Sequence, residues 1–292
     1  MDTSSKTILV TGGAGFIGSH LIEALLSEGN ARVISLDNYF IGTEDNHIDG
    51  AEYRKGHTKD VAELVPEKID CIFHLGEYSR VEQSFADVSM VWDLNVRGSF
   101  AVFEFWRAQQ CKLIYAGSST KFADGGMGRD QSPYAWMKAT NTELVRNYHE
   151  WFGLSYAITY FYNAFGLREL AEGPYASVLG RFKTQYKNGE PITLVAPGTQ
   201  KRNFTYVKDI VHGLLAVGEQ GQGDEYGLGS GETYTMKEIA EMFNCPIEYL
   251  PERPGNRMET KVDTARAQNE FGWTPTLGVR EYITNFVTST HT

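Results

Sequence analysis

The sequence predicts an α/β fold in which a parallel sheet is covered by helices on both faces, and three observations carry that prediction. Short apolar runs rich in branched residues alternate with longer stretches of helical spacing through the first 165 residues. The first run leads directly into a glycine-rich turn and a helical pattern, and the second ends on an acidic residue. Strands buried on both sides need apolar residues at every position, which is how these runs read.

The runs, in order, are TILVTG (7–12), RVISLD (32–37), CIFHLG (71–76), KLIYAG (112–117) and AITYFY (157–162), with helical spacing over 18–28, 86–110 and 133–152. After Gly166 the character shifts toward loops, with Gly and Pro at 173–174, 197–198 and 254–255 and helical pieces at 175–188, 207–218 and 235–243. The expected organisation is a first domain over 1–166 and a smaller mixed lobe over 167–292, packed across one end of the sheet so that the cleft holds a ligand. A single domain with ragged insertions is the alternative. No internal repeat, low-complexity tract or long linker interrupts the chain.

At 292 residues with 41% hydrophobic content the chain can fill a core, and its formal charge of −10 argues against a nucleic-acid backbone or an anionic membrane as partner. Cys71, Cys111 and Cys245 lie far apart without metal-ligand spacing and read as reduced thiols. The amino-terminal MDTSSKTILV lacks the basic-then-apolar pattern of a targeting segment, and no stretch is apolar enough to span a bilayer. A soluble cytoplasmic protein without a metal is the expectation.

TILVTG runs into Gly13-Ala14-Gly15-Phe16-Ile17-Gly18, which satisfies G-x-G-x-x-G, and Gly12 extends it to G-x-x-G-x-x-G. Such glycines permit a tight turn, let the main chain approach a pyrophosphate and let the helix pack on the strand, while the helix N-terminus offers amide hydrogens and partial positive charge. With strand, loop and helix in order, the sheet is predicted to be a doubly wound Rossmann-type sheet binding a dinucleotide. Asp37, nineteen residues beyond Gly18, can accept from ribose hydroxyls and would repel a 2′-phosphate, favouring NAD over NADP. Asp37 starting a turn with Asn38 is the bland alternative.

Ser132-Pro133-Tyr134-Ala135-Trp136-Met137-Lys138 places Tyr134 and Lys138 one turn apart on a helix that Pro133 can open. A cation beside the phenol favours phenolate and makes a general base. Upstream, the strand at 112–117 runs out into Ser118-Ser119-Thr120, hydroxyls at the carboxyl end of a parallel strand, where α/β sheets hold ligands. Ser119 is assigned the reactive role with Thr120 as its rival, and Ser118 reads as a turn residue. Together these groups describe hydride removal from a secondary alcohol.

At this point the chain resembles the extended short-chain dehydrogenase/reductase family, specifically the nucleotide-sugar epimerases and dehydratases typified by UDP-galactose 4-epimerase. The likeness rests on TGGAGFIGSH, LDN after the second strand, IFHLG at 72–76, Asn95-Val96, SST at 118–120, YAWMK at 134–138, YFYNAFG at 160–166, GTQKRNFTYVKD at 198–209 and ERPGNR at 252–257. It implies NAD contacts from Gly12, Gly15, Phe16, Ile17, Gly18, Asp37, Asn38, His57, Thr58, Leu75, Gly76, Asn95, Tyr134, Lys138 and Tyr162. It also implies a nucleotide-diphosphate sugar held by Asn163, Arg202 and Arg253, with Arg257 a weaker candidate; arginine forks suit phosphate oxygens. Phe100, Phe103, Trp106, Tyr148 and Trp151 read mostly as core, but the family pairs the helices that carry them, so a homodimer is implied.

Four departures from the family pattern bear on mechanism. Gly56-His57-Thr58-Lys59-Asp60 puts a histidine where relatives carry the acid near the adenine. Thr120 and Lys121 stand where 4,6-dehydratases place Asp-Glu. The segment between Ser119 and Tyr134 is short and carries FADGGMGRD, four of whose residues are Gly or Ala. Glu77 replaces a small residue near the nicotinamide and sugar; it is an extra acid or base, or a salt-bridge partner of Arg80, and the salt bridge is the preferred reading. The resulting expectation is an enzyme oxidising C4 of a nucleotide sugar, as a 4-epimerase before a C4 dehydrogenase, with a dehydratase disfavoured and a catalytically silent NAD-binding regulator as the reading from another class.

Overall fold

A computed structural model describes residues 6–29, 31–252 and 262–290. In chain order its strands are β1 (Lys6–Thr11), β2 (Ala31–Asp37), β3 (Glu52–Lys55), β4 (Cys71–His74), β5 (Lys112–Ser118), β6 (Tyr156–Phe161), β7 (Asn163–Phe165), β8 (Ile192–Val195), β9 (Lys201–Tyr206), β10 (Gly223–Leu228), β11 (Thr233–Thr235) and β12 (Ile247–Leu250). The helices are α1 (Phe16–Ser27), α2 (Val61–Leu64), α3 (Val88–Val91), α4 (Ser99–Gln109), α5 (Pro133–Phe152), α6 (Val178–Lys187), α7 (Val207–Glu219), α8 (Met236–Glu241), α9 (Ala265–Phe271) and α10 (Val279–Thr290).

Seven strands form one parallel sheet in the order β10-β6-β5-β4-β1-β2-β3. All five runs read from the sequence are in it. Side chains alternate across the pleat, so Leu9, Ile34, Ile72 and Leu113 enter one core with Phe103, Trp106 and Tyr148, while Ile8, Val10, Val33 and Ile114 enter the other with Leu21, Ile210 and Leu214. That double burial is why these strands are apolar at every position. Strand order reverses between β1 and β4, which opens a crevice at their carboxyl ends.

Two strands of the sheet escaped the sequence reading. β3 (EYRK) is an edge strand with no fully buried residue, and β10 (GDEYGL) is buried only over its second half, so neither shows a continuous apolar run. β10 and α7 come from beyond residue 166 yet build on the large sheet, with Tyr226 and Leu228 in the same core as Ile8 and Val10. The remaining strands form the mixed sheet β11-β9-β7 and the pair β12-β8, packed on α6, α8 and α10 around Phe165, Phe182, Ile239 and Phe243.

α5 matches its predicted span because both ends are signalled locally. Ser132 accepts from the Ala135 amide, Pro133 occupies the first turn, and Gly153 ends the helix at φ 68°. The stretch read as one helix over 86–110 instead divides into α3, a π-helical segment over Trp92–Gly98, and α4. Within that segment Asn95 brackets the backbone of Tyr78, accepting from its amide and donating to its carbonyl, and its own carbonyl accepts from Asn141. A side-chain donor thus enters the helical ladder where the π turn occurs. Among the described residues, no helix is long and apolar enough to cross a membrane.

Candidate active site

A cavity of about 910 Å³ runs from the glycine turn, past the ends of β1, β4 and β5, to the small mixed sheet. At one end the backbone does the work. Gly12 sits at φ 73°, where a Cβ would come within 2.8 Å of Gly76, and a Cβ on Gly18 would fall 2.1 Å from the Gly12 carbonyl oxygen. α1 begins at Phe16 with no capping side chain and no acid in its first turn, so the early amides face the cavity with their partial positive charge unopposed. Asp37 is buried at the cavity wall, its two oxygens accepting from the amides of Ala14 (3.0 Å) and Tyr39 (2.8 Å). Burial raises its carboxyl above the usual range against those two hydrogen bonds.

These features fit a dinucleotide: an anion cradle of amides on a helix N-terminus, with a carboxylate at the end of the second strand. Asn38, Thr58, Leu75 and Gly76 line the same end, and the buried Thr58 hydroxyl has no partner among the described residues. His57 and Asn95 do not line the cavity. Nδ1 of His57 accepts from the Lys59 amide, capping a 3-10 turn, and its Nε2 lies 3.1 Å from an Asp93 oxygen without forming a hydrogen bond. The histidine at the position of the usual acid therefore shapes the turn that presents Thr58. Asn95 is spent on the Tyr78 backbone.

Farther along, Ser119, Thr120, Tyr134, Lys138 and Tyr162 share the wall. Ser118 accepts from the Thr120 amide at the start of a 3-10 turn over Ser119–Phe122, and the Ser118 and Thr120 hydroxyls are 2.8 Å apart. Ser118 is thus a turn residue. Of the two candidates for the reactive role, Thr120 is already engaged by Ser118. Asn163 and Arg202 line the far end, on the small mixed sheet, Asn163 donating to the Asn203 carbonyl. Arg253 and Arg257 lie outside the described residues.

Glu77 differs most from the sequence expectation. It makes no salt bridge to Arg80; the end of β4 aims its side chain inward, where it is only 3% exposed and pairs with Lys138, itself 5% exposed. Three more donors converge on the same carboxylate: Ser99 (2.7 Å), Tyr115 (3.1 Å) and Asn141 (2.8 Å). Burial alone would raise the Glu77 carboxyl, but Lys138, then His74, with the hydrogen bonds from Lys138 and Ser99, outweigh it and leave it below the usual range. Lys138 also donates to the Ala116 carbonyl and sits 4.4 Å from the centre of the Tyr115 ring.

Behind Glu77 the hydrogen bonds have a direction. Ser99 donates to Glu77, so Ser99 accepts from His74 Nε2 (3.0 Å), which leaves Nδ1 to accept from the Thr11 hydroxyl (2.7 Å). Burial of the ring lowers its pKa to about 4. Arg80 turns the other way, donating to the Tyr175 carbonyl (2.6 Å) and to Ser79 while lining the cavity. Ser99, Tyr115 and Asn141 carried no recognisable signal in the sequence, because they belong to separate elements and share no motif; His74 stood only within the IFHLG run and Arg80 only as a partner offered to Glu77.

The model of the NAD dependent epimerase/dehydratase family matches residues 8–229. UDP-glucuronic acid decarboxylase 6 of Arabidopsis thaliana is 29% identical, the alignment covering 95% of this chain and 87% of that protein. The UDP-glucose 4-epimerase of Thermus thermophilus, solved with NAD, superposes with a TM-score of 0.87 at 25% identity over 98% of this chain and 99% of the other. The UDP-N-acetylglucosamine 4-epimerase of Methanobrevibacter ruminantium, in complex with UDP-N-acetylmuramic acid, gives 0.86 at 26% identity over 98% and 99%. With its parallel sheet, its glycine cradle and a family match across three quarters of its length, this chain belongs to the NAD dependent epimerase/dehydratase family of extended short-chain enzymes.

Proposed function

We propose that the protein is a nucleotide-sugar 4-epimerase, oxidising C4 of a nucleotide-diphosphate hexose and returning the hydrogen to the opposite face. The observation that carries this reading is the continuity of one cavity, with the amide cradle and Asp37 at one end, Tyr134 beside Ser119 and Thr120 between, and Asn163 with Arg202 at the other. Bound NAD supplies the acceptor and then the donor for the hydrogen at C4. Tyr134 takes the proton of the C4 hydroxyl and later returns it. Ser119, with Thr120 as its rival, hydrogen-bonds the same oxygen, and Lys138 supports the tyrosine. Asn163 and Arg202, joined by Arg253 and Arg257, hold the diphosphate.

Dehydration is disfavoured because positions 120 and 121 carry Thr and Lys rather than carboxylic acids, and because Glu77, the carboxylate beside Lys138, already receives four donors. A C4 dehydrogenase that releases the keto sugar uses the same groups. One observation favours a further reading. Arg80 lines the cavity and has no carboxylate partner among the described residues, so a sugar carboxylate has a cation to meet. In a uronic acid, a ketone at C4 stands β to the C6 carboxylate and oxidation leads to loss of carbon dioxide, the reaction named for the Arabidopsis relative.

A panel of UDP-, GDP- and dTDP-sugars including UDP-glucuronate separates these outcomes. A new diastereomer without net NADH supports the epimerase; stoichiometric NADH means a dehydrogenase, a pentose with carbon dioxide a decarboxylase, and a 4-keto-6-deoxy product a dehydratase. Tyr134→Phe loses about 10²–10⁴ in turnover while keeping NAD; near-normal turnover refutes Tyr134 as the base. NAD binding without turnover on any sugar, with a protein partner, means a regulator.

The two-lobe division near residue 166 belongs to the same reading, with α7, β10 and α9 returning to the first lobe. So does a homodimer. Phe103, Trp106 and Tyr148 are core, but Phe100 and Trp151 are 52% and 60% exposed, and Trp92 at the start of the π-helical segment and Phe152 at the end of α5 are exposed as well. A sedimentation mass equal to one chain refutes it. Three free cysteines, Cys71 and Cys111 both pushed up to about 12 by burial, are consistent with a reducing compartment such as the cytoplasm, which fractionation tests.

A further inference from the structure

We propose that Glu77 is a positioning residue that balances the charge of Lys138 and thereby sets the pH range in which Tyr134 works as a base. The inference rests on the reading of Tyr134 as that base.

Lys138 lies one helical turn from Tyr134 on α5, the spacing at which an ammonium favours a phenolate. Its ammonium is held by the Glu77 carboxylate and the Ala116 carbonyl, both buried, so it is fixed in place and its charge is cancelled at close range. A pair of net zero charge stabilises a neighbouring phenolate less than a lone cation does. Without its carboxylate, the desolvated ammonium would be left with one carbonyl and the Tyr115 ring. Glu77 is held in turn by Ser99, Tyr115 and Asn141 from α4, β5 and α5.

The ionisable groups facing this cluster are few. From β4 and its following loop come His74, Tyr78 and Arg80; from β5, Tyr115; from α5, Tyr134 and Lys138; Ser99 and Asn141 are neutral. Burial keeps the His74 ring neutral down to about pH 4, and burial together with Glu77 pushes Tyr115 well above the ordinary tyrosine range. Neither changes charge near neutrality. Arg80 stays cationic throughout. The Glu77–Lys138 balance is therefore the term that a single substitution alters.

The test is a charge cycle on the NAD-loaded protein. Two readouts are followed: the acid limb of the kcat–pH profile on the sugar that turns over, and tyrosinate absorbance without sugar, taken as the difference between each protein and its Tyr134→Phe counterpart. Glu77→Gln moves both downward by about one pH unit. Lys138→Met moves the tyrosinate titration upward by a similar amount, and the double variant returns it close to the wild-type position. The double variant leaves no buried charge unpaired and so covers the case in which Glu77→Gln does not fold. Glu77→Asp, which keeps the charge, restores the limb. A limb and titration unmoved by Glu77→Gln, or moved upward, overturn the proposal, as does a double variant that stays with Lys138→Met. An inactive Tyr134→Phe beside an unmoved limb rejects only the role of Glu77; an active Tyr134→Phe rejects the base and this inference together.

Discussion

The two ends of the cavity are built by different means. At the cofactor end the main chain is the ligand: the Gly12–Gly18 turn, the first amides of α1 and a single carboxylate, Asp37, all within one strand-turn-helix-strand unit. At the reacting end the side chains form a network, in which Glu77, Lys138, Ser99, His74, Tyr115 and Asn141 converge from β4, its following loop, α4, β5 and α5. A main-chain site depends on local backbone shape, so it tolerates change in most side chains and almost none in its glycines. A side-chain network depends on every partner, because each buried polar group left alone costs its desolvation.

The largest effect should come from breaking the backbone end. Gly18→Val places side-chain atoms against the Gly12 carbonyl, already 2.1 Å from the position of a Cβ, and both NAD binding and turnover are lost. Isothermal titration with NAD checks this, and retained binding would show that the turn is less rigid than the geometry implies. At the network end, Lys138→Met leaves Glu77 buried without its cation and lowers stability by about 3–5 kcal/mol, much of which Glu77→Gln in the same chain recovers, since the amide oxygen still accepts from the remaining donors. Urea melts of the singles and the double measure the coupling.

Next in size is a pH effect that has one contributor at each end. His74 behind Glu77 and His20 on α1 are both lowered to about 4, in each case first by burial. An unfolded histidine takes up a proton as pH falls below about 6.5, while the folded ring resists until about 4. Stability is therefore full above 6.5, falls across that interval and levels off below it, by on the order of 3 kcal/mol for His74. Melts at several pH values, with His74→Asn and His20→Asn assigning the share of each end, check the window; a slope unchanged in His74→Asn would contradict a neutral buried ring.

The smallest effect is expected at Asp37. Asp37→Ser removes the carboxylate that would oppose a 2′-phosphate, and the preference for NAD over NADP should shrink by about tenfold, equivalent to one charge-assisted hydrogen bond. Competition binding of the two dinucleotides measures it, and an unchanged ratio would mean that Asp37 serves only the amides of Ala14 and Tyr39.

The same contrast explains what was legible beforehand. The five long strands, α5 and the glycine turn could be read because each is signalled within about twenty residues, by apolar runs, by Ser132-Pro133 and Gly153, and by glycine spacing. β3 and β10 could not, since edge and half-buried strands lack a continuous apolar run. The π-helical segment over Trp92–Gly98 and the placement of His57 outside the cavity depend on neighbours distant in sequence, Asn141 for the first and Asp93 in part for the second.

Glu77 marks the boundary between the two kinds of knowledge. The sequence by itself determined the parallel sheet, the dinucleotide turn with Asp37, and the Tyr134–Lys138 spacing, because these follow from periodicity and contiguous motifs. It also singled out Glu77 as unusual. Only the tertiary structure decided that Glu77 meets Lys138 rather than Arg80, since two residues sixty-one positions apart are brought together by the packing of α5 on β4 and β5, and a buried carboxylate needs a cation buried beside it.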